Sequence, residues 1–423
     1  MVCNGCSQRY EKMIKRIKSL TNTEDKKRLM SNFFSLSILQ GANYILPLIT
    51  LPYLVRVLGV EYFGLLAFAT ATVTYFSILT DYGFNLTATR EISIHRDNKA
   101  KVIEIFSSVM TIKVILMFVS FLLLTILVFS FEKFSKDALV YFLTFGTVIG
   151  QVLFPVWFFQ GMERMKYITY LNILSKVIFT IAIFLFVQEQ SDFYLVPLLT
   201  SIGFLVAGIW SLYLVKKEFG VRFELQSIDT IKTYFINSWN VFVVDFLPNL
   251  YNNFSTFFLG FFASMEIVGY YALATKLVDV LNSFIYVIRN TTYPYLAKNS
   301  KNFIKIAKIT IGAGALFTVC LFGLSHLVIP LLFGETMRSS LLYLYIIGLS
   351  PLLLAITTTY GSNRMLVMKK DKEMKDITIQ YSLFGFVLAL VLIPFFGAVG
   401  SAVTLVSSRL LMTYLTFNKG RKL

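Results

Sequence analysis

Residues 238–299 read SWNVFVVDFLPNLYNNFSTFFLGFFASMEIVGYYALATKLVDVLNSFIYVIRNTTYPYLAKN. The stretch is apolar enough for two membrane helices, yet it carries Asp245, Lys276, Asp279 and Arg289. At 100° per residue, Ser238, Asp245, Asn249, Asn252 and Thr256 share a narrow arc of the first helix. Lys276, Asp279, Ser283, Tyr286 and Asn290 do the same on the second. Each helix therefore has one wet face and one apolar face. A charge facing lipid at the bilayer centre costs at least ~2.5 kcal/mol, so such faces turn toward protein or water. The stretch predicts a polar, charged cavity inside a membrane.

The surrounding composition agrees. Of 423 residues, 56% are hydrophobic and 15% charged, with a mean hydropathy of +0.70, whereas a soluble domain is about 25% charged. The apolar runs have helix length and lack the alternating ~10-residue pattern of an outer-membrane barrel. The expected fold is all-α and integral to the membrane, with twelve transmembrane helices. The spans fall near 33–55, 62–82, 104–131, 138–160, 167–188, 193–215, 236–260, 267–297, 303–329, 339–362, 376–396 and 398–417. Residues 1–32 are polar and basic, with no apolar segment and cleavage site of the signal-peptide kind.

Lysine and arginine set the orientation. With the N-terminus inside, 29 of the 39 basic residues fall in the inner segments and four in the outer loops: Arg56, Lys133, Lys136 and Arg338. This asymmetry predicts both termini in the cytoplasm and accounts for most of the net charge of +16 without a nucleic-acid partner. The remaining six, Lys113, Lys176, Lys276, Arg289, Lys308 and Arg409, lie inside spans.

The longest inner linker, 216–235, divides the chain. The expected organisation is a cytoplasmic tail (1–32), a six-helix lobe (33–215), the linker, a second six-helix lobe (236–418) and a short tail (419–423). The halves read as repeats. Glu61-Tyr-Phe-Gly64-Leu-Leu-Ala67-Phe-Ala69-Thr70 matches Glu266-Ile-Val-Gly269-Tyr-Tyr-Ala272-Leu-Ala274-Thr275 in the pattern E-x-x-G-x-x-A-x-A-T. Six helices per half is even, so the halves form a parallel pseudo-repeat around a central cavity.

The first half carries its own polar faces: Gln40, Asn43, Pro47 and Thr50 on the first span, and Thr70, Thr74, Ser77 and Asp81 on the second. Six in-span cations exceed the three in-span acids, Asp81, Asp245 and Asp279, which suits an anionic substrate in a low-dielectric surround. Lys276 and Asp279, spaced i, i+3, either neutralise each other or line the cavity. Lys176 and Arg289 read as cavity residues. Lys308 reads as snorkelling to the interface, and Lys113 and Arg409 either snorkel or face inward. Arg56 is either an outer gate contact or an interfacial anchor. Arg90, Glu91, His95 and Arg96 read as a solvated charged segment.

Catalytic chemistry has no place in this pattern. There is no G-x-x-x-x-G-K-[ST] loop, the two histidines His95 and His326 are far apart, and no outer loop is long enough to hold reactive residues. Cys3 and Cys6 have CxxC spacing without further metal ligands nearby. The reading is of a transporter, not an enzyme, with no cofactor and no metal. A drug/cation antiporter is disfavoured because the in-span charge is mainly cationic, and a membrane polysaccharide polymerase or ligase because it would need a sizeable outer loop.

Residues 37–93, SILQGANYILPLITLPYLVRVLGVEYFGLLAFATATVTYFSILTDYGFNLTATREIS, resemble the opening of bacterial polysaccharide repeat-unit (O-antigen and capsule) flippases of the multidrug/oligosaccharidyl-lipid/polysaccharide superfamily. VLFPVWFFQGMERMKYITYLNIL (152–174), VIRNTTYPYLAK (287–298) and FFGAVGSAVTLVSS (395–408) support the resemblance. It implies a substrate of undecaprenyl-diphosphate carrying an oligosaccharide, moved by alternating access to the outer leaflet of the bacterial inner (plasma) membrane. It implies pyrophosphate contacts from Arg289, Lys276 and Lys176, and ion coupling, to a proton or sodium gradient, through Asp81, Asp245 and Asp279. Asn43, Asn249, Asn252, Asn290 and Arg56 complete the expected cavity. Expected partners are membrane lipids and the polysaccharide polymerase and chain-length proteins.

Overall fold

A computed structural model describes the backbone of residues 24–252, 254–298 and 302–423. Side chains at 24–45, 47–48, 244–245, 247–252, 294–295 and 297–298 lie outside the described set. Among the described residues the protein is helical without strands. The helices are α1 (Glu24–Asp81), α2 (Phe84–His95), α3 (Lys99–Ser130), α4 (Glu132–Ser135), α5 (Ala138–Leu153), α6 (Val156–Gly161), α7 (Met165–Phe186), α8 (Leu195–Phe219), α9 (Ile228–Asn252), α10 (Phe254–Phe262), α11 (Met265–Lys298), α12 (Phe303–Phe333), α13 (Ser340–Ile347), α14 (Ser350–Thr357) and α15 (Asp371–Gly420). Nine helical segments among the described residues are long and apolar enough to cross a membrane.

Two of the segments are breached by glycine. In α1, Gly59 has φ 75° and ψ 175°, and in α15 Gly397 has φ 54° and ψ −129°. Positive φ is cheap only without a Cβ. Past Gly397 the chain doubles back, because Gly400 packs directly on the Leu392 carbonyl, which a straight helix would hold about 12 Å away. The expected spans 33–55 and 62–82 therefore lie on the two arms of α1, and 376–396 and 398–417 on those of α15. Pro155 separates α5 from α6, since it lacks the amide hydrogen the ladder needs. The span expected at 339–362 is three pieces, α13, α14 and a π-helix at Thr358–Leu366. The linker expected at 216–235 narrows to 220–227, because α8 continues to Phe219 and α9 begins at Ile228.

In lipid, helices associate through close packing and hydrogen bonds rather than hydrophobic burial, so small residues mark the contacts. α5 and α8 run side by side in the same direction: Ser201 donates to the Leu143 carbonyl at 2.5 Å and Ser211 to the Leu153 carbonyl at 3.1 Å, at constant offset. The second half repeats this device. Thr413 in α15 donates to the Leu353 carbonyl at 3.2 Å, and Gly420 lies against the Tyr360 carbonyl.

The apolar core has a polarity along the molecule. At the end holding Gly64 and Gly269, a single cluster draws on both halves, including Phe68, Tyr141, Leu259, Tyr271, Ile329 and Ile347. Phe68 is its hub, with ring centroids 5.1 Å from Phe134 and 6.2 Å from Phe261, over Gly260. At the opposite end the described residues form two distinct clusters. One surrounds Ile92, Trp157 and Phe158; the other is small and surrounds Met365, Ile377 and Tyr381. The beginning of α9 joins the first of these. Tyr82 stacks on Phe235 and Phe242 at 4.5 and 4.9 Å, and the Thr87 and Ser238 hydroxyls meet at 2.8 Å.

Candidate functional site

α11 changes character along its length. Val268 and Tyr271 through Ala274 are buried, whereas Lys276, Asp279, Tyr286 and Asn290 are exposed. These exposed residues share one helical face and span roughly 21 Å at 1.5 Å per residue. Ser283, expected on this face, is buried, and the exposed charges are Lys276 and Asp279, which within an apolar segment face water or protein rather than acyl chains. This stripe begins where the core shared by both halves ends.

Arg289 sits near the far end of this stripe. Its Nε and Nη2 donate to Asn290 Oδ1 at 3.2 and 3.0 Å, and its guanidinium lies 5.2 Å from the Tyr286 ring centroid. An amide oxygen and an aromatic face orient the guanidinium, and among the described residues no carboxylate pairs with it, so donors remain on its outer edge that suit phosphate oxygens. Asp279 Oδ1 lies 4.0 Å from Arg409 Nη2, with side-chain exposures of 60% and 17%. The carboxylate thus has Arg409 of α15 within ion-pair range, so Lys276 is not its sole cationic neighbour. Arg409 faces inward, which resolves the alternative of snorkelling. Asn363 Nδ2 donates to Thr292 Oγ1 at 3.0 Å and ties the end of α11 to the π-helix.

At the other end, Arg56 donates through Nη2 to the Leu331 carbonyl of α12. This contact joins the two halves of the chain.

Asp81 belongs to a different group. It ends α1, where Tyr82 and Gly83, with φ 49° and 73°, turn the chain into α2. Lys113 Nζ meets Asp81 Oδ1 at 3.0 Å, and Asn85 Nδ2 donates to Asp81 Oδ2 at 2.5 Å. Lys113 is 5% exposed and Asp81 33%. They line a cavity of about 490 Å³ with Ser77, Asn85, Gln151 and Asn172. Lys113 therefore pairs internally and does not snorkel. Sequence reasoning missed this network, although Gln151 and Asn172 stand out as polar residues within apolar runs.

Lys176 is half-buried on α7, one turn beyond Asn172. The structure thus puts Asp81 and Lys113 in one group, Asp279 and Arg409 in a second, and Arg289 and Asn290 in a third; Lys276 and Asp279 share the α11 face. The side chains of Asn43, Asp245, Asn249 and Asn252 lie outside the described residues, as do Cys3 and Cys6. In the charged segment of α2, Arg90 and His95 approach Glu91 at 3.3 and 4.0 Å, and Arg96 meets Glu163 at 2.8 Å, so its charges are largely satisfied within the protein.

A family model described as "Polysaccharide biosynthesis protein" matches residues 29–300. The chain is 32% identical over 400 residues to the "Putative O-antigen transporter" of Escherichia coli (strain K12), covering 92% of this chain and 96% of that one. It is 26% identical over 391 residues to the protein of the same name from Shigella dysenteriae, covering 91% and 98%. Among solved structures, the lipid II flippase MurJ in an inward closed conformation superposes with a TM-score of 0.72 at 13% identity, over 93% of this chain and 87% of that one. An inward-facing multidrug resistance transporter of the MATE family superposes with a TM-score of 0.62 at 14% identity, over 89% and 94%. At such identities the superpositions speak for the fold alone. The chain belongs to the polysaccharide biosynthesis protein family.

Proposed function

We propose that this protein is a flippase that moves undecaprenyl-diphosphate-linked oligosaccharide units across the plasma membrane by alternating access. The observation that carries the reading is the exposed stripe of α11. It carries Lys276 and Asp279, with Arg289 further along the same helix, and it starts where the core common to both halves ends on the Gly64 side. A diphosphate is the headgroup chemistry such cations attract, and alternating access leaves the lipid tail in the bilayer while the polar group crosses.

Twelve spans in two six-helix lobes follow if Gly59 and Gly397 are taken as hairpin points and the broken pieces are joined. The recurrence of the α5–α8 pairing as Leu353–Thr413 supports the pseudo-repeat. The distribution of lysine and arginine supports cytoplasmic termini and an inward-facing state. Asp81 and Asp279 are the candidates for ion coupling, because each carboxylate has a cationic partner whose hold on it a proton or metal cation would release.

The test is substitution of Arg289→Ala and Lys276→Ala in cells that depend on this chain for surface polysaccharide. Both variants should reach the membrane at normal levels and lower the surface polymer. Wild-type polymer from both would overturn the assignment of the stripe as substrate path.

A further inference from the structure

We propose that the end of α8 and the connection that follows it form a binding site for an anionic phospholipid, separate from the α11 stripe. A cavity of about 520 Å³ is lined there by Lys99, Lys216, Lys217 and Arg222, against the single acid Glu224. The connection is anchored from below. Val221 is buried, and the Glu224 amide donates to Ser107 Oγ of α3 at 3.0 Å. Gly220, at φ 62°, makes the turn that lets Arg222 rejoin the two lysines, with Lys99 Nζ close over it.

What distinguishes this cluster from solvated lysines is its apolar continuation. Val206, Trp210 and Tyr213 are exposed along one face of α8, which Lys217 extends by one turn. Trp210 and Tyr213 are in ring contact at 6.3 Å, and Lys217 Nζ lies 5.5 Å over the Tyr213 ring. Beyond Trp210 the face borders a narrow groove between α7 and α8, lined by Leu174, Ile178, Ile202 and Val206. The order along α8 is thus apolar groove, aromatic pair, then cations. That is the profile of one phospholipid: acyl chain, interfacial glycerol, phosphate. Phe223 and Leu225 are exposed on the adjoining connection and Ile228 at the start of α9, as befits a segment lying on the membrane surface. Four cations against one acid select an anionic headgroup over a zwitterionic one, each basic group near the surface adding to the attraction.

The experiment uses the full chain purified in a neutral detergent. The unfolding midpoint is followed on adding phosphatidylglycerol, phosphatidylcholine or undecaprenyl phosphate. Phosphatidylglycerol should raise the midpoint by several degrees more than phosphatidylcholine. Lys216→Gln, Lys217→Gln and Arg222→Gln, three exposed positions changed together, should abolish that difference. Val206→Trp, which fills the groove and leaves the cations in place, should reduce it. Equal stabilisation by both phospholipids, or a preference that survives the triple change, overturns the proposal. Stronger stabilisation by undecaprenyl phosphate that depends on the same three residues also overturns it, because it assigns the site to a substrate-like lipid. Should the triple variant fail to fold, phosphatidylglycerol retained per protein, compared between wild type and Val206→Trp, decides in its place. None of these outcomes bears on the α11 stripe.

Discussion

Gly64 and Gly269, equivalent positions in the two copies of E-x-x-G-x-x-A-x-A-T, are in direct contact with each other's helices. A Cβ on Gly64 would stand 2.7 Å from the Gly269 amide nitrogen and collide with the Met265 carbonyl; one on Gly269 would collide with the Val60 carbonyl. The repeat packs on itself across the interface between the two halves, and backbone atoms rather than mobile side chains form the contact.

Gly64→Val should therefore disfavour the closed end. Overpacking of this kind costs about 1–3 kcal/mol, enough to lower the closed-to-open ratio about tenfold. The variant should reach the membrane, yet a cysteine at the exposed Thr70 should become more reactive to an impermeant thiol reagent added from outside. Unchanged labelling would show that the contact is not a gate.

Arg56→Ala acts on the same end more gently. It removes one charge-assisted bond to the Leu331 carbonyl, worth about 1 kcal/mol. Labelling at the same cysteine should rise by about fivefold, less than for Gly64→Val. An effect larger than that of the glycine would reverse the order of the two contacts.

Asp81 and Lys113 should respond unequally. Lys113 is 5% exposed, so Asp81→Asn strands a buried charge and should cost about 3 kcal/mol. Asp81 is one-third exposed and keeps its bond from Asn85, so Lys113→Met should cost only about 1 kcal/mol. The double variant should regain most of the stability while remaining inactive in transport. Unfolding midpoints and surface polymer, measured together, check the three.

Asp279 and Arg409 should behave differently again. At 4.0 Å with the carboxylate 60% exposed, the pair adds at most about 1 kcal/mol to stability. Asp279→Asn should leave the unfolding midpoint nearly unchanged and lower surface polymer, with recovery in Asp279→Glu. A large fall in midpoint would recast the pair as structural.

Much of this molecule was legible in its sequence because the bilayer is a stringent solvent. The length of the apolar runs, the segregation of lysine and arginine, the repeated E-x-x-G motif and the polar face of α11 all follow from one-dimensional spacing. The glycine breaks and the pieces of 339–366 were not legible, because an apolar run looks alike whether its helix is continuous or interrupted. Partners were least legible. Helical period tells which residues share a face but not what that face meets, so Lys276 was the natural neighbour for Asp279, and Lys113 had none in view. Only the packing of distant helices brought Arg409 to Asp279, Lys113 to Asp81 and one glycine copy onto the other, because contacts between helices depend on close fit in three dimensions, which spacing along a chain does not encode.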